Sequence, residues 1–153
     1  MKTRKAAQRF VRVWESEWKS GDVAAISKLY ADDCVHRSMP FRALHRGRAE
    51  IAAYIEWSFA SERALDVRFG QPLVTDDGVA VAEFRVLMEK EGRPSTLAGC
   101  VFVRFRESDG LAVESRDYWH STPRHQAPEG PLGLGQEPER RSVIRSRPDG
   151  ASD

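Results

Sequence analysis

Residues 114–120, with the sequence ESRDYWH, place a carboxylate between large aromatic side chains near the end of an alternating segment. Residues two apart in a strand share a face. Asp117 then points toward the same apolar space as Val113 and Trp119. A carboxyl group in such surroundings resists ionisation, so its pKa rises and it can exchange protons near neutral pH. Asp117 is therefore a candidate acid–base group; the alternative is a structural acid that caps a turn or pairs with a neighbouring arginine.

A second pair of charged side chains lies in an earlier alternating segment. Glu83 and Arg85 share a face with Val81 and Leu87, and the opposite face is also apolar. Because buried charges are costly unless they are paired, this pair either lies on the floor of a pocket or on an exposed rim. In a concave sheet, Arg85 is expected to bridge Glu83 and Asp117. One carboxylate then stays ionised while the pKa of the other is raised.

Histidine is the remaining residue type that exchanges protons near neutral pH. His36 lies in a short extended segment before Pro40, where it is either an assisting catalytic group or a hydrogen-bonded structural histidine. The histidines at 45, 120 and 125 lack metal-ligand spacing, so no metal is predicted. The sequence has no GxSxG, P-loop or GxGxxG motif, and we expect no cofactor. Two kinds of function remain possible for this sequence, which are cofactor-free acid–base catalysis and ligand binding without catalysis.

Helices are predicted in the first part of the chain. Apolar residues at three- and four-residue steps indicate an amphipathic helix over about residues 4–20, and Asp22 is a fitting N-cap for a second short helix up to Tyr30. A third helix is predicted after Gly47. Aromatic residues at helical spacing are by default core residues, and four of them are also candidates for a pocket wall. These four are Trp14, Tyr30, Tyr54 and Phe59.

Period-two segments follow from Leu65 onward. They predict strands at about residues 65–74, 79–91, 95–107 and 111–121, joined by Asp- and Gly-containing turns. Helices followed by an antiparallel meander are typical of an α+β domain with its helices on one face of a curved sheet. We therefore predict one domain over residues 1–121. The Pro- and Gly-rich segment 122–153 is predicted to be mostly disordered.

Composition limits the classes of partner. The 153 residues carry a net charge of +1 and are 41% hydrophobic, which suits one domain with its own core. The charge balance argues against nucleic acid as a partner. No apolar run is long enough for a signal peptide or a membrane span, so we expect no membrane association and a cytoplasmic location. Cys34 and Cys100 are far apart and are expected to be reduced.

The order of these elements and three phrases, WKSGDVAAISKLYADDCVHRSMPF, GRAEIAAYI and ESRDYWH, resemble the nuclear transport factor 2-like superfamily in its SnoaL-like branch. The likeness covers roughly residues 10–121. It implies a cone-shaped α+β fold in which N-terminal helices pack on a strongly curved antiparallel sheet and enclose one apolar pocket. Members of this superfamily are commonly dimers. Some are isomerases, cyclases, dehydratases or epoxide hydrolases, and others only bind or scaffold.

Local likeness within the superfamily is to limonene-epoxide hydrolases. There, a strand phrase like RDYF provides an acid at the position of Asp117, and Trp119 corresponds to a pocket-lining aromatic. An Arg and an Asp two apart on an earlier strand complete the acid pair in those enzymes, where this chain has Glu83 and Arg85 in reversed order. The residues that hold the attacking water correspond here to His36 and Ser38.

Two functions are open from the sequence. The first is a cofactor-free enzyme acting on a small, largely apolar molecule, with Asp117 as proton carrier assisted by His36, Glu83 and Arg85. The second is a non-catalytic ligand-binding or dimeric interaction module of the same fold. Homodimerisation is expected through the outer face of the sheet, because apolar side chains at positions 98, 100 and 102 share one face of a long strand.

Overall fold

The computed structural model describes residues 2–136. The helices and first strands are α1 (Lys2–Ser20), α2 (Val23–Ser27), β1 (Tyr30–Ser38), β2 (His45–Arg46) and α3 (Gly47–Ala60). The remaining strands are β3 (Glu62–Phe69), β4 (Leu73–Val74), β5 (Val79–Lys90), β6 (Arg93–Phe105) and β7 (Ala112–Thr122). The predicted α+β class, with N-terminal helices packed on a curved sheet, is confirmed. The strands do not all follow the helices, because β1 and β2 precede α3. The second helix is shorter than predicted, since it ends at Ser27 and Tyr30 already belongs to a strand.

Local sequence explains how α1 and α2 meet. The apolar face of α1 buries Ala6, Ala7 and Phe10 against the sheet. Gly21 ends the helix at a φ of +77°, a conformation that glycine adopts without steric cost. Asp22 then caps α2, and its carboxylate accepts a hydrogen bond of 2.9 Å from the backbone N–H of Ala25. The two helices therefore pack against each other as a helical hairpin. In the described part of the chain no helix is long and apolar enough to cross a bilayer.

The strands form one mixed, curved and unclosed sheet. Their order is β2-β1-β7-β6-β5-β3, and β4 pairs with β5. The meander of β5, β6 and β7 is antiparallel, as predicted from the hairpin turns. β1 pairs in parallel with β7, and this pairing places Ser38 beside Asp117 and His36 beside Ser115. The parallel contact joins residues about 80 positions apart and was not predicted, because no local turn signal encodes it.

The register of the long strands assigns each side chain to one face. Ala82, Val101 and Asp117 form one row across β5, β6 and β7 on the inner face. Phe84, Gly99 and Trp119 form the next row on the inner face. A side chain at Gly99 would overlap the carbonyl oxygen of Tyr118. The backbone of β6 therefore lies very close to the backbone of β7 at Gly99, and only glycine is accommodated there.

Residues 123–136 lie along the outer side of the sheet. Thr96 Oγ1 donates to the carbonyl oxygen of Arg124 at 2.6 Å and accepts from the backbone N–H of Gln126 at 2.9 Å. Farther along, the N–H of Gly133 donates to Glu83 at 3.3 Å. The expectation of disorder is thus corrected for this part of the segment, because polar groups on the sheet supply its backbone with partners. Residues 137–153 are outside the described residues.

Candidate functional site

A cavity of about 150 Å³ lies between the helices and the inner face of the sheet. Aromatic side chains from α1, α3 and β7 form much of its wall, and polar groups are concentrated where β1 meets β7. Eight residues singled out from the sequence line this cavity. They are Trp14, Tyr30, His36, Ser38, Tyr54, Phe59, Asp117 and Trp119.

Asp117 projects into the cavity from β7. Its side chain is only 20% exposed. Ser38 Oγ donates to its Oδ1 at 2.6 Å, and the indole N–H of Trp119 donates to Ser38 Oγ at 3.3 Å. The parallel pairing of β1 with β7 brings these groups together, so the carboxylate has a fixed orientation.

Burial raises the pKa of Asp117 from 3.8 to about 6. The hydrogen bond from Ser38, the charge of Arg42 and the Trp119 indole act in the opposite direction, but desolvation is the larger effect. Asp117 therefore changes its charge close to neutral pH. A carboxyl group in this range can accept a proton and return it.

His36 is a titratable neighbour of Asp117. It is 5% exposed, with Nδ1 2.7 Å from Ser115 Oγ and Nε2 3.6 Å from Asp117 Oδ2. Burial, together with the nearby His45, lowers the pKa of His36 to about 4. The imidazole is thus neutral at neutral pH. A proton on Nε2 allows the ring to face the carboxylate while Nδ1 accepts from the Ser115 hydroxyl.

Two tyrosines line the same cavity as Asp117. Tyr30 is buried, and its oxygen accepts a hydrogen bond of 3.2 Å from the indole N–H of Trp14. Burial raises the pKa of Tyr30 well above its ordinary value, so this hydroxyl keeps its proton. Tyr54 accepts from Arg42 Nη1 at 3.2 Å, and burial raises its pKa as well. Both hydroxyls can therefore donate hydrogen bonds to a ligand oxygen.

Arg42 was missed by the sequence reasoning. It follows Pro40 in the loop between β1 and β2 and lines the cavity. Its guanidinium lies 5.2 Å from the centre of the Trp119 ring, a cation–π distance. The sequence shows only an arginine two positions after Pro40, and no local pattern shows which way such a loop folds.

Glu83 and Arg85 do not join this cluster. They lie on the outer face of the sheet, since Ala82 and Phe84 point inward from β5 and neighbours alternate along a strand. Glu83 accepts from the backbone of Gly133, and Arg85 Nη1 lies 3.1 Å from Asp66 Oδ2. The predicted bridge from Arg85 to Asp117 is wrong. Both faces of β5 carry apolar residues, so alternation alone did not show which face meets the pocket.

Within residues 2–136, no group of three or more His, Cys, Asp or Glu side chains is placed to hold a metal ion. The chemistry available at the site consists of a carboxyl group that titrates near neutral pH, a neutral imidazole and hydroxyl donors. This set is suited to proton transfer or to recognition of a polar group on an apolar ligand.

Comparison with known families identifies the domain. A SnoaL-like domain matches residues 7–115 of the chain. The chain belongs to the SnoaL-like family. The match spans most of α1, the other helices and the strands up to the first part of β7, and it ends before Asp117. It confirms the family resemblance in the sequence phrases. A search of curated protein sequences finds no match.

Solved structures similar to this SnoaL-like protein share its fold. A proposed isomerase from Bacillus subtilis has a TM-score of 0.68 and 21% identity, covering 78% of this chain and 90% of its own. An LEH-like epoxide hydrolase from Mycobacterium tuberculosis has a TM-score of 0.62 and 17% identity, covering 76% and 84%. A Catenulispora acidiphila protein with a ketosteroid isomerase-like fold, in complex with trimethylamine, has a TM-score of 0.62 and 19% identity, covering 71% and 83%.

Proposed function

We propose that this SnoaL-like protein is a cofactor-independent enzyme that moves a proton within a small, largely apolar molecule. The observation that carries the proposal is the buried Asp117 carboxyl, whose pKa of about 6 places its charge change near neutral pH inside an apolar cavity. A general base works best when its pKa is close to the working pH. At neutral pH Asp117 is mostly ionised and is ready to accept a proton.

The reaction that fits these groups is an isomerisation next to a carbonyl. Asp117 takes a proton from a carbon beside the carbonyl, and the electron pair of that C–H bond moves onto the carbonyl oxygen to give an enolate. The Tyr30 hydroxyl, whose oxygen already accepts from Trp14, donates to that oxygen. Asp117 then returns the proton to another carbon of the conjugated system, and the carbonyl is restored. The reaction involves no net oxidation or reduction.

His36 has a positioning role in this scheme. Its neutral ring lies 3.6 Å from Asp117 and is held by Ser115, so it supports the carboxylate without supplying a full positive charge. A cationic imidazole here would lower the pKa of Asp117 and weaken it as a base. The lowered pKa of His36 therefore serves the same chemistry as the raised pKa of Asp117.

Epoxide hydrolysis is less well supported than isomerisation. The resemblance to limonene-epoxide hydrolases implies an arginine-flanked pair of acids in the pocket. Glu83 and Arg85, at the corresponding positions, are on the other face of the sheet. In the described part of the chain, Asp117 is the carboxylate of the cluster around Ser38 and His36. One titrating acid is sufficient for proton removal and return, whereas the paired mechanism requires two.

The test uses 3-cyclohexen-1-one, a small ketone whose isomerisation to the conjugated product is followed by ultraviolet absorbance. The wild-type protein is expected to catalyse this conversion. Asp117→Asn keeps the shape but removes the base, so kcat/KM should fall by about 10²- to 10⁴-fold. Asp33→Asn is the matched control, because the Asp33 side chain is 75% exposed and lies away from the cavity lining.

An absence of turnover by wild-type protein, or equal turnover by Asp117→Asn, would contradict the proposal. If the ketone binds without turnover and Asp117→Asn changes only its affinity, the protein is a ligand-binding module. The test does not require wild type and Asp117→Asn to melt at the same temperature at the assay pH, because the two proteins differ in charge inside the cavity.

A further inference from the structure

The exposed residues of the cavity lining mark the place where the cavity opens to solvent. They are Arg42, Trp57, Ser61, Lys90 and Ser121. Two of these residues carry a positive charge. Lys90 has an acidic neighbour, because it pairs across the strands with Glu62 and its charge lowers the pKa of that carboxyl. The mouth of the cavity therefore has two cations, and one of them already acts on a carboxyl group beside it.

The guanidinium of Arg42 is held by neutral groups. Its Nη1 donates to the Tyr54 hydroxyl at 3.2 Å, and the group lies 5.2 Å from the centre of the Trp119 ring. Within residues 2–136 these are its direct partners, and it forms no ion pair with a carboxylate there. A guanidinium has several N–H donors in a planar fork, so most of them are available to a ligand.

The loop that carries Arg42 is tied to β7 through Met39. The backbone N–H of Met39 donates to the carbonyl oxygen of Asp117 at 3.0 Å, and Met39 Sδ accepts from the backbone N–H of Trp119 at 3.3 Å. The backbone N–H of Arg42 then closes a turn on the carbonyl oxygen of Met39 at 3.3 Å. Arg42 is thus joined to the strand that carries Asp117. Because its position is set before a ligand arrives, less ordering is needed on binding.

The charge of Arg42 opposes the proposed role of Asp117. It favours the ionised carboxylate and so lowers the pKa of Asp117, against the larger effect of burial. A carboxylate with a lower pKa is a weaker base. A negative group bound to Arg42 would neutralise this effect. An arginine beside the base is therefore best suited to the chemistry when the ligand itself supplies an anion.

We infer that Arg42 binds a carboxylate of the ligand at the mouth of the cavity, while the apolar part of the ligand lies deeper, among the aromatic side chains. The planar guanidinium fork matches the two oxygens of a carboxylate. The lysine and arginine that line the cavity are both at its mouth, so the acid group points outward. This inference rests on the proposed function, because it uses the same pocket. It narrows the substrate class to small, largely apolar unsaturated keto acids.

The experiment compares two probes of nearly the same shape by isothermal titration calorimetry at neutral pH. 3-Phenylpropionate has a carboxylate, whereas 3-phenylpropanamide has a neutral amide in its place. Wild-type protein should bind the carboxylate about five- to tenfold more tightly, since Arg42 is exposed and its ion pair is partly screened by solvent. Arg42→Met keeps an unbranched side chain without the charge and should lose this preference. Arg42→Lys keeps the charge without the fork and should retain part of it.

Arg46→Met is the matched control. Arg46 is an exposed arginine four residues farther along and does not line the cavity, so this variant should keep the full preference for the carboxylate. It changes the net charge by the same amount as Arg42→Met. Melting curves of all variants establish that they are folded. Equal affinity of the wild type for the two probes, or no binding of either, would overturn the inference. A preference that persists in Arg42→Met, or that Arg46→Met abolishes as well, would also overturn it.

The two proposals fail in different measurements. Loss of the proton-transfer proposal would appear as missing turnover of 3-cyclohexen-1-one by wild-type protein. Loss of the carboxylate subsite would appear as equal affinities for 3-phenylpropionate and its amide. A wild type that prefers the carboxylate through Arg42 and shows no turnover is a ligand-binding protein with the subsite intact.

Discussion

Replacement of Asp117 by Asn is expected to stabilise the protein at neutral and alkaline pH. The carboxylate is held in an apolar cavity where its ionised form is disfavoured, so the folded state has a free-energy cost for carrying this charge. Asn has the same shape and its amide oxygen can accept the hydrogen bond from Ser38. The variant therefore keeps the packing and removes the charge. A catalytic carboxylate that lowers stability is a known form of the conflict between activity and stability.

The size of the effect follows from linkage. A rise in pKa from 3.8 unfolded to about 6 folded corresponds to about 3 kcal/mol of lost stability once both states are ionised. Because the folded pKa is the higher one, the favourable contribution is complete below about pH 4 and is lost as the pH rises through about 6. Asp117→Asn should thus gain up to about 3 kcal/mol near pH 8 and gain nothing near pH 4.

His36 acts in the opposite sense over nearly the same range. Burial lowers its pKa from 6.5 to about 4, so its neutral form stabilises the fold above about pH 6.5 and this contribution is lost as the pH falls through about 4. In wild-type protein the two contributions partly cancel, and stability changes little with pH across this range. Removing the Asp117 carboxyl exposes the His36 contribution. The unfolding free energy of the variant should decrease more steeply with acidification.

Urea unfolding followed by fluorescence of the four tryptophans measures these differences. Titrations of wild type, Asp117→Asn and Asp33→Asn at several pH values give three curves of unfolding free energy. Asp33→Asn should remain within about 0.5 kcal/mol of wild type, because its side chain is exposed. The reasoning would be refuted if Asp117→Asn were less stable than wild type near pH 8. A gain of equal size at acid and alkaline pH would also refute it.

Three further predictions concern the site and the sheet. Ser38→Ala removes the 2.6 Å hydrogen bond to Asp117, so the pH dependence of kcat/KM for the ketone should move to higher pH by about one unit; an unchanged profile would contradict this. Truncation after Thr122 removes the partners of Thr96, so the melting temperature should fall by several degrees while the circular dichroism spectrum stays native-like, and complete loss of cooperative melting would show a larger role. Phe102 is 43% exposed on the outer face, and we expect a homodimer there; sedimentation should show a dimer for wild type and a monomer for Phe102→Asp.

Local patterns in the sequence determined most of the secondary structure. The helical periodicity around Phe10 and the glycine at 21 predicted α1 and its end, and Asp- and Gly-containing turns predicted the meander of long strands. The alternation around Asp117 placed its side chain with Val113 and Trp119, and the structure has Asp117 and Trp119 in one cavity. These features depend on neighbours within a few residues, so the sequence itself encodes them.

Other features depended on contacts between distant parts of the chain. Val81 and Leu87 on one face of β5 are as apolar as Ala82 and Phe84 on the other, so the sequence left open which face meets the helices. Packing of α1 and α3 on the sheet resolved this and placed Glu83 outside the cavity.

The tertiary structure also decided what surrounds Asp117. The parallel pairing of β1 with β7 sets Ser38 and His36 against the carboxyl, across about 80 residues of sequence. The start of β3 and the end of α1 bring Glu62 and Trp18 to the same cavity in the same way. Loop closure over such separations costs entropy and leaves no local signature, because only the burial of the whole core offsets that cost. The acid was visible in the sequence, whereas the surroundings that set its pKa exist only in the folded chain.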